Sequence, residues 1–290
     1  MLPSEQLNCF TGHDVFVAGE EFSQRFGDEG ASVEMPALAW VVPVNASAGN
    51  AIREARWFVD AAVSLVRLSC WPYFGIKPSI GEVEPAPFTS TKSKDEPLLT
   101  GDFGVTIRAP SSSFYMIDDR FVTRTKDCHF TPLAERLQEP KMDSCGYFFR
   151  QGLGWLSRGR QARDHSQRVL LFFTALETLL TRDTTFGQVT ESLARNVATI
   201  LARDVEKRSA IAQAIKNLYR YRSKTVHQGD RGVTHWQCND TQYFAESVFG
   251  RLLFTLPFDM PIRAFWDVLD EASYGTQWTS VLLEKHREIS

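Results

Sequence analysis

After Pro140 the apolar residues recur at helical spacing in one segment after another, almost to the end of the chain. Residues three and four apart share one helix face. Successive helices joined by short links bury those faces against each other, so the spacing predicts an antiparallel bundle. The first helix is expected from about Ser144 to Leu156 and the second from Asp164 to Leu180. Thr185 and Gln188 have capping-box spacing ahead of a third, on which Val189, Leu193, Val197 and Ile200 line one face. A fourth starts at about Val205, with Ile211, Ala214, Ile215 and Leu218 along its stripe. Asp240 is the expected cap of a fifth, which carries Phe244, Val248 and Leu252 and is stopped by Pro257. Ile262, Phe265, Trp266 and Leu269 mark a sixth, and Trp278, Val281 and Leu282 a short last one.

Before Pro140 the pattern is mixed. Asp14 to Val17 and Ala37 to Val42 are short apolar runs bounded by Gly or Pro, as strands are. Ile52, Ala55, Val59, Ala62, Val63 and Val66 fall at helical spacing and predict one amphipathic helix of about five turns ahead of Pro72. Residues 77–102 are rich in Pro, Ser, Thr, Lys, Glu and Asp and read as a long exposed loop. Val105 to Ile107 and Phe114 to Ile117 look like a strand pair that Phe121 to Thr123 extends. With 290 residues there is chain enough for two cores. The expected fold class is therefore α+β: a mixed strand and helix domain over residues 1–140, suited to sensing or regulation, and an all-α bundle over 141–290.

The composition narrows the function classes. A hydrophobic fraction of 43% and a charged fraction of 23% are ordinary for a globular chain. No apolar run approaches the roughly 18 residues that cross a bilayer, and Met1 to Gln6 has neither the basic start nor the apolar core of a signal peptide. The five cysteines, Cys9, Cys70, Cys128, Cys145 and Cys238, form no C-x-x-C pair, and adjacent Cys128 and His129 lack metal-ligand spacing. These features predict a reduced, cytoplasmic protein with no structural metal and no cofactor. No phosphate loop or catalytic-triad spacing occurs in the first half, where aromatics such as Trp40, Trp57, Trp71, Phe74 and Tyr115 read as core or as a stacking platform. The net charge of −3 is unevenly spread: Trp155 to Arg231 holds 14 Lys and Arg against 7 Asp and Glu, leaving −10 elsewhere. A segment at +7 suits a phosphate-bearing ligand, and it also suits a solvated helix pair.

Within that basic segment, the next step on the stripe of the fourth helix after Leu218 is Arg222, where an aliphatic is expected. Such an arginine is either paired inside the protein or held for chemistry. His227 follows five residues later, and an unbroken helix would turn the two side chains apart by roughly 500°. β-Branched Thr225 and Val226, followed by Gly229 and Gly232, predict that the backbone turns near His227 and lets the pair converge. Glu177 lies in an almost wholly apolar helix and needs a cationic or hydrogen-bonding partner, with Arg222 the first candidate and Arg195 the second. His165 and His235 are further histidines that read chiefly as surface residues.

The R-x4-H spacing of Arg222 and His227, with polar Ser223 directly after the arginine, resembles the signature of the HEPN superfamily of small helical RNases. The run from Arg168 to Leu180, with Ala175-Leu176-Glu177-Thr178-Leu179, resembles the ALE-x-L helix of its ApeA-like branch, and Ser192 to Ala198 that branch's middle helix. The likeness spans roughly residues 143–256 and does not touch the first 140.

The resemblance implies a metal-independent endoribonuclease, active as a homodimer whose two motifs line one cleft, of the kind found in toxin–antitoxin and phage-defence (abortive infection) systems. Arg222 would fork onto the scissile phosphate. Histidine gains and loses protons near neutrality, so His227 would exchange a proton with the 2′-hydroxyl or the 5′-oxygen. Ser223 would bond the substrate or orient His227, Glu177 would orient Arg222, and Lys224 and Arg195 are the substrate-binding candidates. RNA is the implied ligand, and a phage or antitoxin-type regulatory protein the implied partner. The alternative is a non-catalytic HEPN module that binds RNA or a protein; a third reading is a scaffold in which Arg222 and Glu177 form only an internal salt bridge.

Overall fold

A computed structural model describes residues 15–17, 38–40, 47–69, 123, 130–138, 140–182, 189–229 and 232–289. Strands β1 (Val15–Val17) and β2 (Leu38–Trp40) precede helices α1 (Ala48–Ser69), α2 (Phe130–Gln138), α3 (Cys145–Gln161), α4 (His165–Leu180) and α5 (Val189–Leu201). Then follow α6 (Val205–Gln228), α7 (His235–Leu253), α8 (Ile262–Ala272) and α9 (Trp278–Ile289).

The helices begin where side chains can satisfy the orphan amides of a first turn. Ser144 accepts from the Tyr147 amide, Asp164 from that of Gln167 and Asp204 from that of Lys207. The expected Asp240 cap is displaced: α7 starts at His235, because Thr234 and Gln237 form a complete capping box five residues earlier. The Thr185 to Gln188 box lies outside the described residues. Thr174 and Thr178 of α4 and Thr181 at its C-cap bond their hydroxyls back to the carbonyls of Leu170, Thr174 and Glu177, so their polarity is satisfied by the helix.

The α+β expectation is corrected: the described residues are mainly α. The strand pairing among them is one antiparallel ladder, Val15 to Val17 on Leu38 to Trp40. Among the described residues, this three-residue ladder presents no sheet face large enough to carry a domain. The strands expected at 105–107 and 114–117, the third at 121–123 except Thr123, and the loop at 77–102 lie outside the described residues.

The apolar core runs across residue 140. Ala61, Leu65 and Leu68 of α1 are buried with Phe149 and Leu153 of α3, Phe172 and Phe173 of α4 and Phe249 of α7. The predicted stripe of α1 is only partly the buried one: Val63 is enclosed, but Ala55, Val59, Ala62 and Val66 are half-buried. Asp60, Ser64 and Arg67, at i, i+4 and i+7, are buried instead. The Ser64 hydroxyl donates to the Leu153 carbonyl at 2.6 Å and receives Arg160 Nη2 at 2.7 Å. Arg67 and Arg160 meet the carboxylate of Glu246 on α7, with side-chain exposures of 3%, 1% and 3%. At the other end of α3, Cys145 and Gly146 donate to the carbonyls of Met260 and Phe258, and Ile262 to that of Asp143, which clamps the starts of α3 and α8 together.

Candidate active site

Helices α4 and α6 bring Glu177 and its expected partner Arg222 together. Glu177 is one turn beyond Phe173 on α4, and Tyr219 and Arg222 are three apart on α6, so each pair shares a face. The Tyr219 ring packs edge-on against Phe173, 5.1 Å between centroids. From there its hydroxyl donates to Glu177 Oε1 at 2.7 Å, while Arg222 Nη2 donates to Oε2 at 3.0 Å. The guanidinium also lies 5.3 Å from the Tyr219 ring centroid, within range of a cation–π attraction. Glu177 and Arg222 are 19% and 21% exposed, so the pair sits at the rim of the bundle, where a ligand can reach it. The Arg222 Nε is buried with no hydrogen-bond partner among the described residues. Burial, then the hydrogen bond to Glu177, holds the Tyr219 hydroxyl protonated well above its usual range.

The turn expected near His227 falls later. Helix α6 continues through Gln228 and is closed by Gly229 in the left-handed conformation (φ +66°), whose amide reaches the Lys224 carbonyl. His227 therefore stands in the last helical turn, exposed, about 7.5 Å along the axis from Arg222 and roughly 140° around it. Arg222 and His227 of one chain thus project from different sides of α6. Ser223 is half-buried beside Arg222, and Lys224 is exposed.

Arg195 is not brought to Glu177. It donates to Asp270 of α8 at 2.5 Å, an acid it shares with Arg182. Its neighbour Asn196 covers the Leu180 carbonyl at the end of α4. His165 and His235 lie 5.7 Å apart at the starts of α4 and α7, and His235 bonds Asn239. Twelve residues of α4 separate His165 from Glu177, about 18 Å of helix, so this histidine pair is remote from Arg222.

Among the described residues no three His, Cys, Asp or Glu side chains are grouped to hold a metal ion, and no helix is long and apolar enough to cross a membrane. Cys145 and Cys238 are free and buried, and burial raises both thiols above their usual range. Cys128 and His129 lie outside the described residues. Of the aromatics considered for stacking, Trp57 is half-buried against Trp155, while Trp71, Phe74 and Tyr115 lie outside the described residues.

Sequence reasoning missed Tyr219. The signal was available in its place three residues before Arg222, which puts an aromatic hydroxyl on the arginine's own face. No family model, curated protein or solved structure matches the chain.

Proposed function

We propose that the chain is a metal-independent endoribonuclease of the HEPN type, in which Arg222 and His227 act on RNA in a cleft shared by two copies. The observation that supports this reading is the placement of Arg222: its Nη2 donates to Glu177, which the Tyr219 hydroxyl also holds, and its side chain is 21% exposed at the rim of the bundle. A partly exposed guanidinium held in place by a carboxylate keeps donors that can fork onto phosphate oxygens.

The reaction is an in-line transfer within the RNA strand. The 2′-oxygen bonds to phosphorus as its proton passes to a base, and the bond from phosphorus to the 5′-oxygen breaks as that oxygen takes a proton from an acid. The products are a 2′,3′-cyclic phosphate and a 5′-hydroxyl. His227 supplies one proton transfer, and Arg222, oriented by Glu177, offsets charge on the phosphorane. Because the continuous helix turns Arg222 and His227 apart, the complementary groups come from a second, two-fold related copy. Ser223 and Lys224 border the strand. In this reading the protein works in the cytoplasm as a growth-arresting effector, of a toxin or phage-defence kind.

The test is incubation with total RNA in EDTA, followed by end-group analysis. Wild-type protein should leave 2′,3′-cyclic ends, Arg222→Ala and His227→Ala should each lose activity, and mixing the two variants should restore part of it. Wild-type rates in both variants, or activity that requires Mg²⁺ or Mn²⁺, would overturn the reading. A second reading has its own support: Glu177, Tyr219 and Arg222 also tie α4 to α6, as in a scaffold or non-catalytic binding module. It predicts loss of stability, without any RNA cleavage by the wild type.

A further inference from the structure

A second basic feature lies apart from the Glu177 and Arg222 pair. Where α1, the end of α3 and the start of α4 meet, an open groove of about 770 Å³ is lined by Arg53, Arg56, Trp155 and Arg158, with Asp60 and Gln161. Leu171 at its edge precedes Glu177 by six residues on α4, about 9 Å along the axis and a third of a turn around it, so the groove is a separate site.

Its charge is only partly compensated. Asp60, 5% exposed, is already engaged by Ser157 Oγ at 3.2 Å, Gln161 Nε2 at 2.7 Å and Arg158 Nε at 3.4 Å. Among the described residues the ion pair of Arg53 is with its neighbour Glu54, at 3.5 Å and in solvent, a pairing of little strength. Arg56 is exposed and has no acidic partner among the described residues. Among the described residues, the three guanidinium groups that line the groove are therefore matched there by one carboxylate, Asp60, which already accepts three bonds, and by Glu54 beside Arg53.

The groove also has an aromatic wall, Trp155, which packs against Trp57. Arg158 lies 4.5 Å from the Trp57 ring centroid and 5.7 Å from that of Trp155, and the two indoles meet edge to face at 5.2 Å. Gly154 permits this packing, since a Cβ there would fall 2.6 Å from the Trp57 ring. These contacts and the Nε bond to Asp60 hold the Arg158 guanidinium at the groove wall.

From these features we infer that the groove binds single-stranded RNA, with Arg53 and Arg56 on successive phosphates and a base stacked on the Trp155 and Arg158 planes. Cationic side chains that track a backbone, interleaved with aromatic faces, are what an unpaired strand requires. A duplex hides its base faces, and an acidic peptide has none to stack. The inference extends the ribonuclease reading, on which the choice of RNA rests, by giving the strand a holding site away from the reacting phosphate.

The test uses the full chain carrying His227→Ala, an exposed position, so that binding is measured without cleavage. An oligouridylate of about eight nucleotides is titrated by tryptophan quenching and by anisotropy at several salt concentrations. Adding Arg53→Glu and Arg56→Glu, both exposed, should weaken binding at least tenfold and flatten the salt dependence by about 1.4, or roughly 0.7 for each phosphate no longer neutralised. An abasic strand of equal charge should bind about tenfold more weakly, as expected when one stacked base is removed. Unchanged binding in the Arg53 and Arg56 variant would overturn the inference, as would equal binding of the abasic strand, a duplex or an acidic peptide. Failure of wild-type protein to cleave RNA would instead strike the ribonuclease reading and leave this binding measurement standing.

Discussion

Replacing Glu246 with glutamine removes one charge from the most enclosed polar cluster described. Its Oε1 accepts from Arg67 Nε at 2.9 Å, Arg160 Nη1 at 3.2 Å and Gln242 Nε2 at 3.1 Å, and its Oε2 from Arg67 Nη2 at 3.3 Å. With all three charged side chains no more than 3% exposed, water cannot replace the missing carboxylate. Removing one partner of such a buried pair costs about 3–5 kcal/mol, because the remaining charges stay desolvated. In urea, with a slope of about 3 kcal/mol per molar, the unfolding midpoint should fall by about 1–1.7 M. The reference is Asp270→Asn, which disturbs Arg195 and Arg182 at 47% and 42% exposure; pairs of this kind are worth about 1 kcal/mol or less. Circular dichroism measures both variants. Since Arg67 belongs to α1, hydrogen exchange in α1 should also quicken in Glu246→Gln. A midpoint shift no larger than that of Asp270→Asn would refute the reasoning.

Three further outcomes are expected. Tyr219→Phe loses a bond to a carboxylate and should cost about 1.5 kcal/mol at neutral pH. The folded chain holds the Tyr219 proton above its usual pKa near 10, so the contribution is full below pH 10 and is lost above it, as the unfolded chain releases that proton first; a stability gap between wild type and variant that does not narrow above pH 10 would contradict this. Gly152→Ala should destabilise by about 1–3 kcal/mol in thermal unfolding, despite alanine's better helix propensity, because its Cβ would enter the space of the fully buried Phe249 ring; a raised Tm would show that this ring can yield. Glu177→Gln should lower kcat for RNA about 10- to 100-fold with little change in KM, as a positioning role for Arg222 demands, and an effect confined to KM would count against that role.

Much of the bundle is written in local terms, and those terms survive folding. The period of Val189, Leu193, Val197 and Ile200, and the caps at Ser144, Asp164 and Asp204, depend on residues within one or two turns, so neighbours in sequence suffice to define them. The need of Glu177 for a partner was legible for a similar reason, since a carboxylate in an apolar helix is costly wherever that helix goes. Choosing between candidates of the same chemistry was a different matter. Thr234 and Asp240 are both good caps, and reciprocal bonding with Gln237 decided between them. Arg222 and Arg195 are both cations, but the crossing of α4 with α6 turned one to Glu177, while the seam between α5 and α8 gave the other to Asp270. The strands read at Val15 to Val17 and Leu38 to Trp40 do pair, but the α+β class did not hold, because short apolar runs look alike whether they build a sheet or a three-residue ladder. Arg67 and Glu246 are 179 residues apart, and Arg53, Arg56 and Arg158 become one groove only once α1 docks on α3. Sequence by itself determined that helices follow one another and which side chains need company; only the tertiary structure decided which company they keep, because charge and hydrogen bonding act through space and the packing angles of distant helices set that space.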